Sequence, residues 1–291
     1  MTGRDRGPKT YVITGGSDGI GLECASQVAA AEPECRIVLV GRNPNRTAAA
    51  VGRIRSESPH CGVDALLCDL ADQAAVRRLA DDLLRTCETI DVLVNNAGTV
   101  FSRRTVTADG IESTFAVNHL GGFLLTALLL DRLVQSAPAR VVFTSSDAHY
   151  SATMELDDLG FEQGYSIMKA YGRSKLANVL TARLLADRLR GTGVTVTSLH
   201  PGAIATNIWS GAPWFAQPVL AVLKRWRMET PEVGGSRLAH LATSPEVEGQ
   251  TGGYYRRNRV REPSDLAHDE VLAEALYVES ARLVGLGEPP A

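Results

Sequence analysis

The sequence has little surplus charge, few lysines, few aromatic residues and no long apolar run. Its 30 basic and 33 acidic residues leave a formal net charge of −3, which excludes the strongly basic surface that nucleic acid or an anionic membrane attracts. No apolar run approaches the roughly 18 residues of a spanning helix. Because Met1–Thr10 is also polar, we expect neither a signal peptide nor a membrane span. A small molecule is therefore the expected partner.

The five cysteines are odd in number and include no C-x-x-C pair, so they indicate neither a disulfide framework nor a zinc site. No second ligand stands at metal-binding spacing from His149 or His200. We interpret both histidines as packing or loop residues and expect no metal. These absences are typical of a reduced protein of the cytoplasm, where we expect this one.

What the sequence does contain is a repeated alternation of short apolar segments with longer segments of helical period. Over 291 residues, 44% of them hydrophobic, this pattern predicts one α/β domain: a doubly wound, Rossmann-type parallel sheet of seven strands with helices on both faces. The expected strands are Tyr11–Thr14, Arg36–Val40, Asp64–Cys68, Asp91–Asn95, Arg140–Thr144, Val194–His200 and Gly253–Tyr255. The expected helices lie near Gly19–Ala31, Asn45–Glu57, Gln73–Cys87, Asp109–Val134, Ser166–Arg190 and His268–Val284, with another that starts at Thr230-Pro231-Glu232.

A glycine-rich turn, Thr14–Gly21 (TGGSDGIG), follows the first predicted strand and opens into an apolar helix. Glycines let the backbone approach a pyrophosphate closely, and the helix N-terminus adds free N–H groups and a positive dipole end. This position at a strand–helix junction favours dinucleotide binding over a structural turn. The expected contacts are Gly15, Ser17, Asp18, Gly19, Ile20 and Gly21.

Two Tyr-x-x-x-Lys pairs occur close together, Tyr165 with Lys169 and Tyr171 with Lys175, although the chain has only four lysines. Each pair has the spacing that brings two side chains to one face of a helix. Six residues turn a helix by about 240°, so the two pairs cannot share a face. An ammonium that lowers a phenol's pKa suits proton transfer at neutral pH. Spacing alone leaves both pairs as candidates.

The turn spacing T-G-x-x-x-G-x-G resembles that of the short-chain dehydrogenase/reductase family. Around the second pair, the run AYGRSKLAN resembles the family's Y-x-x-S-K with its L-A-N continuation, which selects Tyr171 and Lys175 as the catalytic pair. The resemblance also implies that Ser146, the second serine at the end of the fifth strand, holds the substrate oxygen. It implies as well that Asn118, in the long helix, takes part in a proton relay.

The same resemblance extends the expected cofactor site to other strand ends. It implies an acidic residue near the adenine, an N-N-A-G run beside the cofactor and a P-G loop at the nicotinamide and phosphates. These further contacts are Asp69, Leu70, Asn95, Ala97, Gly98, Pro201, Gly202 and Thr206, together with Tyr171 and Lys175.

The end of the second strand indicates which nucleotide binds. An acidic residue there accepts from the ribose 2′-hydroxyl of NAD(H), whereas an arginine accommodates a 2′-phosphate. The strand ends in Gly41-Arg42 without an adjacent acid, so NADP(H) is favoured over NAD(H) and Arg42 is an expected contact. Asp18 argues the other way, because NADP-preferring members of the family often carry a basic residue in the glycine turn.

Within the family, the chain resembles the retinol-dehydrogenase and WW-domain-oxidoreductase-like branch. The run NHLGGFLLT from Asn118, the 25-residue gap between Ser146 and Tyr171, and the stretch Ala242–Tyr255 carry this resemblance. The chain shows neither the hydrophobic anchor nor the WW modules of such relatives, so a retinoid is not the expected substrate.

We place the domain at residues 9–287, between tails at 1–8 and 288–291, and interpret 208–227 as a substrate lid. All three tryptophans lie in 208–227 although aromatic residues make up only 5% of the chain, which favours a lipophilic substrate, including polycyclic ones. Packing of 208–227 on the core or at a subunit interface is the alternative.

The function that these patterns predict is that of a ketoreductase or alcohol dehydrogenase, acting as a monomer or homodimer. A conjugated C=C reductase on the same scaffold and a non-catalytic NADP(H)-binding regulatory protein are the alternatives.

Overall fold

The computed structural model describes residues 7–204 and 228–287. Within them, eight strands form one sheet in the order β3-β2-β1-β4-β5-β6-β7-β8. All neighbouring pairs from β3 to β7 are parallel, and β8 pairs antiparallel with β7. The strands are β1 (Thr10–Thr14), β2 (Arg36–Gly41), β3 (Gly62–Leu67), β4 (Val92–Asn95), β5 (Ala139–Thr144), β6 (Val194–His200), β7 (Tyr254–Arg256) and β8 (Arg259–Arg261).

The expectation of seven strands is wrong, because the chain reverses direction after β7 and forms an eighth strand, β8, paired antiparallel with it. Arg257 and Asn258 form the connecting loop with φ of 51° and 59°. Left-handed backbone at both loop residues is the geometry of a tight hairpin turn. β8 has only three residues, Arg-Val-Arg, which is too short a segment for hydrophobic periodicity to reveal.

Seven α-helices of the described residues cover the two faces of the sheet. Alternate residues of β1 point to different faces: Tyr11 and Ile13 pack into one core layer, and Val12 packs into the other. The first layer holds α1 (Gly19–Ala31), α2 (Pro44–Glu57) and α6 (Pro231–Thr243), and the second holds α3 (Gln73–Thr86), α4 (Ser113–Gln135), α5 (Ile167–Arg188) and α7 (Glu270–Leu283). All five cysteines are buried as free thiols.

Helix α4 begins at Ser113, later than the expected start at Asp109. The Glu112 carboxylate caps it by accepting the backbone N–H groups of Thr114 and Phe115, each at 2.8 Å. Among the described residues, α4 is the one helix long and apolar enough to cross a membrane. However, 78% of its apolar window is buried within the protein, as expected for a core helix.

β1 and β4 are neighbours in the sheet, although β2 and β3 lie between them in the sequence. The sheet is therefore built outward from β1 in two directions, and the strand order reverses there. In such sheets the ligand crevice lies beyond the carboxyl ends of the strands at this point. The loops that follow β1, β2, β4, β5 and β6 all meet at this edge.

Candidate active site

A cavity of about 550 Å³ opens at this edge of the sheet, within the size range of small-molecule sites. The expected site residues that line it are Gly15, Ser17, Asp18, Gly19, Ile20, Arg42, Asp69, Leu70, Ala97, Gly98, Ser146, Tyr171, Lys175, Pro201 and Gly202. Gly21, Asn95 and Asn118 lie behind this lining. Thr206 and the expected lid 208–227 lie outside the described residues.

The glycine turn has no room for side chains at two positions. A Cβ added to Gly21 would lie 2.2 Å from the Gly15 carbonyl oxygen, and one added to Gly15 would lie 2.9 Å from the Ala97 Cα. Gly15 also adopts a φ of +66°. Asp18 caps α1 by accepting the N–H of Gly19 at 2.8 Å. The N-terminus of α1 therefore borders the cavity, which suits a pyrophosphate.

Tyr171, in the second turn of α5, is half-buried, and its side chain interacts with that of Ser146. Burial raises the pKa of Tyr171, and the neighbouring Ser146 hydroxyl opposes that rise. The Ser146 Oγ also accepts the N–H of Ala148 at 3.2 Å. Two groups able to hold one substrate oxygen, a phenol and an alcohol, thus lie together at the cavity wall.

Ser145 and Ser146 are neighbours in the sequence but have different partners. The Ser145 hydroxyl is buried and donates to the main-chain carbonyl of Lys175 at 2.8 Å. This bond ties the end of β5 to α5. Ser146, the serine that the family resemblance selects, is the one that interacts with Tyr171, and both line the cavity.

The ammonium of Lys175 lies behind Tyr171. Its Nζ donates to the Thr144 carbonyl at 3.0 Å and is 5.6 Å from the centre of the Tyr171 ring. Lys175 is only 1% exposed, and burial lowers its pKa to about 8. A charged ammonium beside a phenol favours the phenolate, so this pair can exchange a proton with a bound substrate.

The structure does not bring the alternative pair to the site. Tyr165 precedes α5, which begins at Ile167, and its hydroxyl donates to the Phe101 carbonyl at 2.9 Å. Lys169 is exposed. Neither Tyr165 nor Lys169 lines the cavity.

Asn118 lies in a π-helical segment of α4, Ala116–Leu120, and π turns are frequent at functional sites. Its amide Nδ2 donates to the Thr99 carbonyl at 3.0 Å, and its Oδ1 accepts the Thr99 N–H at 2.7 Å. Nδ2 also lies 3.1 Å from the Ser174 Oγ. The side chain thus holds the loop after β4 that forms one wall of the cavity.

Of the two asparagines at the end of β4, Asn96 lines the cavity, whereas we expected Asn95 to contact the cofactor. The Asn95 Nδ2 donates to the Thr126 hydroxyl of α4 at 2.8 Å. Asn96 donates to the Thr14 carbonyl at 3.1 Å. Successive residues of a strand point to opposite faces, so these two side chains cannot both face the cavity.

Two guanidinium groups line the cavity beyond β2. Arg42 follows the strand directly, and Arg46 lies in the first turn of α2, 3.4 Å from Asp18. Arg46 was not among the cofactor contacts expected from the sequence. Its place in the first turn after the Asn43 helix cap is a usable signal, because a helix N-terminus favours anions. A phosphate at this place would meet two guanidinium groups and the positive end of α2.

The described residues contain no group of three His, Cys, Asp or Glu side chains that could hold a metal ion. His149 is buried, with Nδ1 2.7 Å from the Ser146 carbonyl and Nε2 accepting the Ser264 N–H at 3.1 Å. His200 lines the cavity, and its Nε2 is 3.6 Å from Asp147. Burial lowers the pKa of both imidazoles. His149 is thus a packing residue, while His200 also borders the site.

Residues 9–213 match the model of the short chain dehydrogenase family. The chain belongs to the short-chain dehydrogenase family. This dehydrogenase is 37% identical to Retinol dehydrogenase 13 of Homo sapiens over 97% of the chain and 86% of the relative. It is 38% identical to Retinol dehydrogenase 14 of Mus musculus, over 96% of the chain and 86% of the relative. These relatives confirm the resemblance to the retinol-dehydrogenase branch. They identify an NAD(P)-dependent oxidoreductase of alcohol and carbonyl groups.

Solved structures confirm the Rossmann-type single domain. An uncharacterized protein from Mycobacterium Paratuberculosis has a TM-score of 0.77 and 29% identity, covering 98% of this dehydrogenase and 96% of that chain. The RhlG/NADP active-site complex of Pseudomonas aeruginosa has a TM-score of 0.67 and 27% identity, with coverage of 85% and 94%.

Proposed function

We propose that this dehydrogenase interconverts a carbonyl and an alcohol on a lipophilic small molecule with NADP(H). The observation that carries the proposal is that Tyr171 and Ser146 lie together at the cavity wall, with the Lys175 ammonium 5.6 Å from the centre of the phenol ring. The glycine turn borders the same cavity and fits a dinucleotide, because Gly15 and Gly19 line the cavity without side chains at the N-terminus of α1.

The residues divide the chemistry between them. A bound nicotinamide supplies hydride to the carbonyl carbon, or accepts it from the alcohol. Tyr171 gives its proton to the carbonyl oxygen during reduction and takes it back during oxidation. Ser146 donates a hydrogen bond to that oxygen as negative charge develops on it. Lys175 stabilises the phenolate that remains after the proton has left.

Arg42 and Arg46 support NADP(H) over NAD(H). Both guanidinium groups face the cavity beyond β2, where a 2′-phosphate would form charge-assisted hydrogen bonds. Asp18 also lines this part of the cavity and forms an ion pair with Arg46. A 2′-phosphate would therefore compete with Asp18 for Arg46. The RhlG structure, similar in fold, is an NADP complex.

The lining close to Tyr171 supports a lipophilic substrate. Ala148, two residues after Ser146, and Met168, one turn before Tyr171, both line the cavity, as does Met228. The relatives named retinol dehydrogenases act on a lipophilic alcohol. Aromatic and polycyclic ketones share this apolar character.

A carbonyl screen with NADPH and NADH in parallel tests the proposal. Aliphatic aldehydes, aromatic ketones, polycyclic ketones and retinal are each supplied, and nucleotide oxidation and products are both measured. We expect alcohol products, faster turnover with NADPH and a preference for the apolar substrates. A saturated ketone formed from an enone would instead indicate C=C reduction, and no nucleotide oxidation with any substrate would indicate a regulatory protein.

The chain provides a matched pair of variants for this screen. Tyr171→Phe removes the proton donor, and we expect carbonyl reduction to fall by about 10²–10⁴-fold while NADPH still binds. Tyr165→Phe removes a hydroxyl that donates to the Phe101 carbonyl away from the cavity and should leave turnover close to wild type. Equal activity of the two variants would refute the assignment of Tyr171.

A further inference from the structure

A chain of buried hydrogen bonds connects the C-terminal helix α7 to the back of the active site. The Ser280 Oγ lies 3.0 Å from the His119 Nε2, and the His119 Nδ1 lies 3.1 Å from the Asn178 Oδ1. The Asn178 Nδ2 then donates to the carbonyls of Asn118 at 2.9 Å and Thr144 at 3.1 Å. None of the side chains of Ser280, His119 and Asn178 is needed for the proposed chemistry itself.

The direction of each hydrogen bond in this chain is determined. The Asn178 Nδ2 serves two carbonyls, so its Oδ1 faces His119 and can only accept a hydrogen bond. His119 must therefore carry its proton on Nδ1, and its Nε2 accepts the Ser280 hydroxyl. Burial lowers the pKa of His119 to about 4, so this neutral tautomer persists at neutral pH.

The three linking side chains are almost fully buried, with exposures of 0% for Ser280, 0% for His119 and 2% for Asn178. Each buried polar side-chain atom of these three residues has a hydrogen-bond partner in this network. Buried networks that are fully satisfied in this way rigidify their surroundings. The network is therefore a means of fixing the two carbonyls at its end.

One of these carbonyls also holds the catalytic ammonium. The Thr144 oxygen accepts both the Asn178 Nδ2 at 3.1 Å and the Lys175 Nζ at 3.0 Å. The Asn118 oxygen belongs to the π-helical segment of α4. Asn178 thus joins the end of β5 to α4 directly beneath Lys175, which lies one turn earlier on α5.

We propose that Asn178, oriented by His119 and Ser280, is a positioning residue that fixes the Thr144 carbonyl and thereby the Lys175 ammonium relative to Tyr171. Asn178 contacts neither the cavity nor a reacting atom, so its effect passes through Lys175. This inference rests on the proposed function for its kinetic consequence but not for its effect on the ammonium.

The first test measures the ammonium without any turnover. The chain has only four lysines, so the Nζ signal of Lys175 can be assigned by NMR through its loss in Lys175→Arg. The titratable side chains that face it are Tyr171 on α5 and His119 on α4. In Asn178→Leu the Thr144 carbonyl loses the side chain that holds it in place, so its hydrogen bond to the Lys175 ammonium weakens. A weaker hydrogen bond to the charged form lowers a lysine's pKa, so we expect Lys175 to titrate at lower pH than in wild type. An unchanged titration would overturn the proposal.

The second test is kinetic, with the substrate found in the carbonyl screen. A misplaced catalytic group costs up to about 100-fold in rate, so Asn178→Leu should lower kcat by roughly 10- to 100-fold while KM for the carbonyl substrate changes little. Thr181→Val is the matched control, because Thr181 is buried on the same helix and its hydroxyl has no hydrogen-bond partner among the described residues. It should leave kcat and the Lys175 titration unchanged.

Ser280→Ala keeps the proposal testable should Asn178→Leu fail to fold. This variant removes one hydroxyl at the far end of the network and leaves the packing of α7 intact. A lower titration of Lys175 together with a lower kcat at unchanged KM supports the positioning role. A folded Ser280→Ala with wild-type titration and kcat overturns it. Inactive wild-type enzyme with a shifted Lys175 titration in the variants would refute the proposed function alone.

Discussion

The Ser146 side chain lies beside Tyr171 and interacts with it, whereas the adjacent Ser145 hydroxyl donates to the main chain of Lys175. The two serines at the end of β5 should therefore fail in different ways when each is replaced by alanine. Ser146→Ala removes a donor to the developing oxyanion, and such a loss costs about 10²–10³ in kcat. Ser145→Ala breaks a buried hydrogen bond that contributes about 1 kcal/mol to stability. Steady-state kinetics and thermal unfolding of both variants provide the comparison, and equal kcat values would contradict it.

The two arginines beyond β2 should determine the cofactor preference. We expect Arg42→Ala and Arg46→Ala each to weaken NADPH binding about tenfold or more, because a hydrogen bond to a charged group contributes roughly 1.5–3 kcal/mol. NADH binding should change little, since NADH has no 2′-phosphate. Asp18→Asn should shift the preference further toward NADPH by releasing Arg46 from its ion pair.

Titration of NADPH and NADH against each variant by fluorescence measures this shift. Arg190→Ala, at an exposed arginine that pairs with Asp187 outside the cavity, serves as the control. Parallel losses of NADPH and NADH affinity would show that the arginines do not read the 2′-phosphate.

The buried Lys175 ammonium should lower the free energy of unfolding of the ligand-free enzyme. Burial lowers the pKa of Lys175 to about 8 from an ordinary value of 10.5. Below pH 8 the group is charged in both states, so folding must bury a charge. Between pH 8 and 10.5 the folded protein loses the proton that the unfolded chain keeps, and this penalty declines as pH rises.

Lys175→Met should therefore unfold at a higher temperature than wild type at pH 7, with an advantage that shrinks toward pH 10. The same variant should lack carbonyl reductase activity. Thermal unfolding at the two pH values measures the difference, and a constant or growing advantage at high pH would contradict the assigned direction.

Two glycines offer opposite outcomes for the same substitution. Gly21→Ala would place a Cβ 2.2 Å from the Gly15 oxygen, so the phosphate turn must move. A shift that costs about 1.4 kcal/mol weakens binding tenfold, and we expect at least that loss in NADPH affinity. Gly52, within α2, has nothing within 4 Å of an added Cβ, and Gly52→Ala should add about 0.5–1 kcal/mol of stability. Calorimetry with NADPH and urea unfolding check the two outcomes.

The sequence predicted the parts of the site that local pattern determines. The glycine turn, Tyr171 and Lys175 could be located because each lies at a fixed offset within one strand–helix junction or one helix. The choice of Tyr171 over Tyr165 needed the neighbouring residues, and the structure explains why: Tyr165 lies before α5 begins. The Tyr-x-x-x-Lys spacing brings two side chains to one face only within a helix, and the helix begins at Ile167, after Tyr165.

Features that depend on tertiary contacts were missed. Arg46 lines the cavity only because α2 starts beside the glycine turn. Asn96 lines the cavity and Asn95 does not, because the Asn95 side chain points to the other face of the sheet, toward Thr126. The hydrogen bonds from His119 and Asn178 join three helices that are distant in sequence. No periodicity within a single segment encodes such relationships.

The short hairpin of β7 and β8 ends one side of the sheet with exposed arginines. β8 has only three residues, all exposed, and two of them are Arg259 and Arg261. Brief, positively charged edges resist the docking of a second strand, since like charges would meet along the seam. The extra hairpin thus protects the molecule against edge-to-edge aggregation, and a homodimer formed by continuing the sheet through β8 is disfavoured.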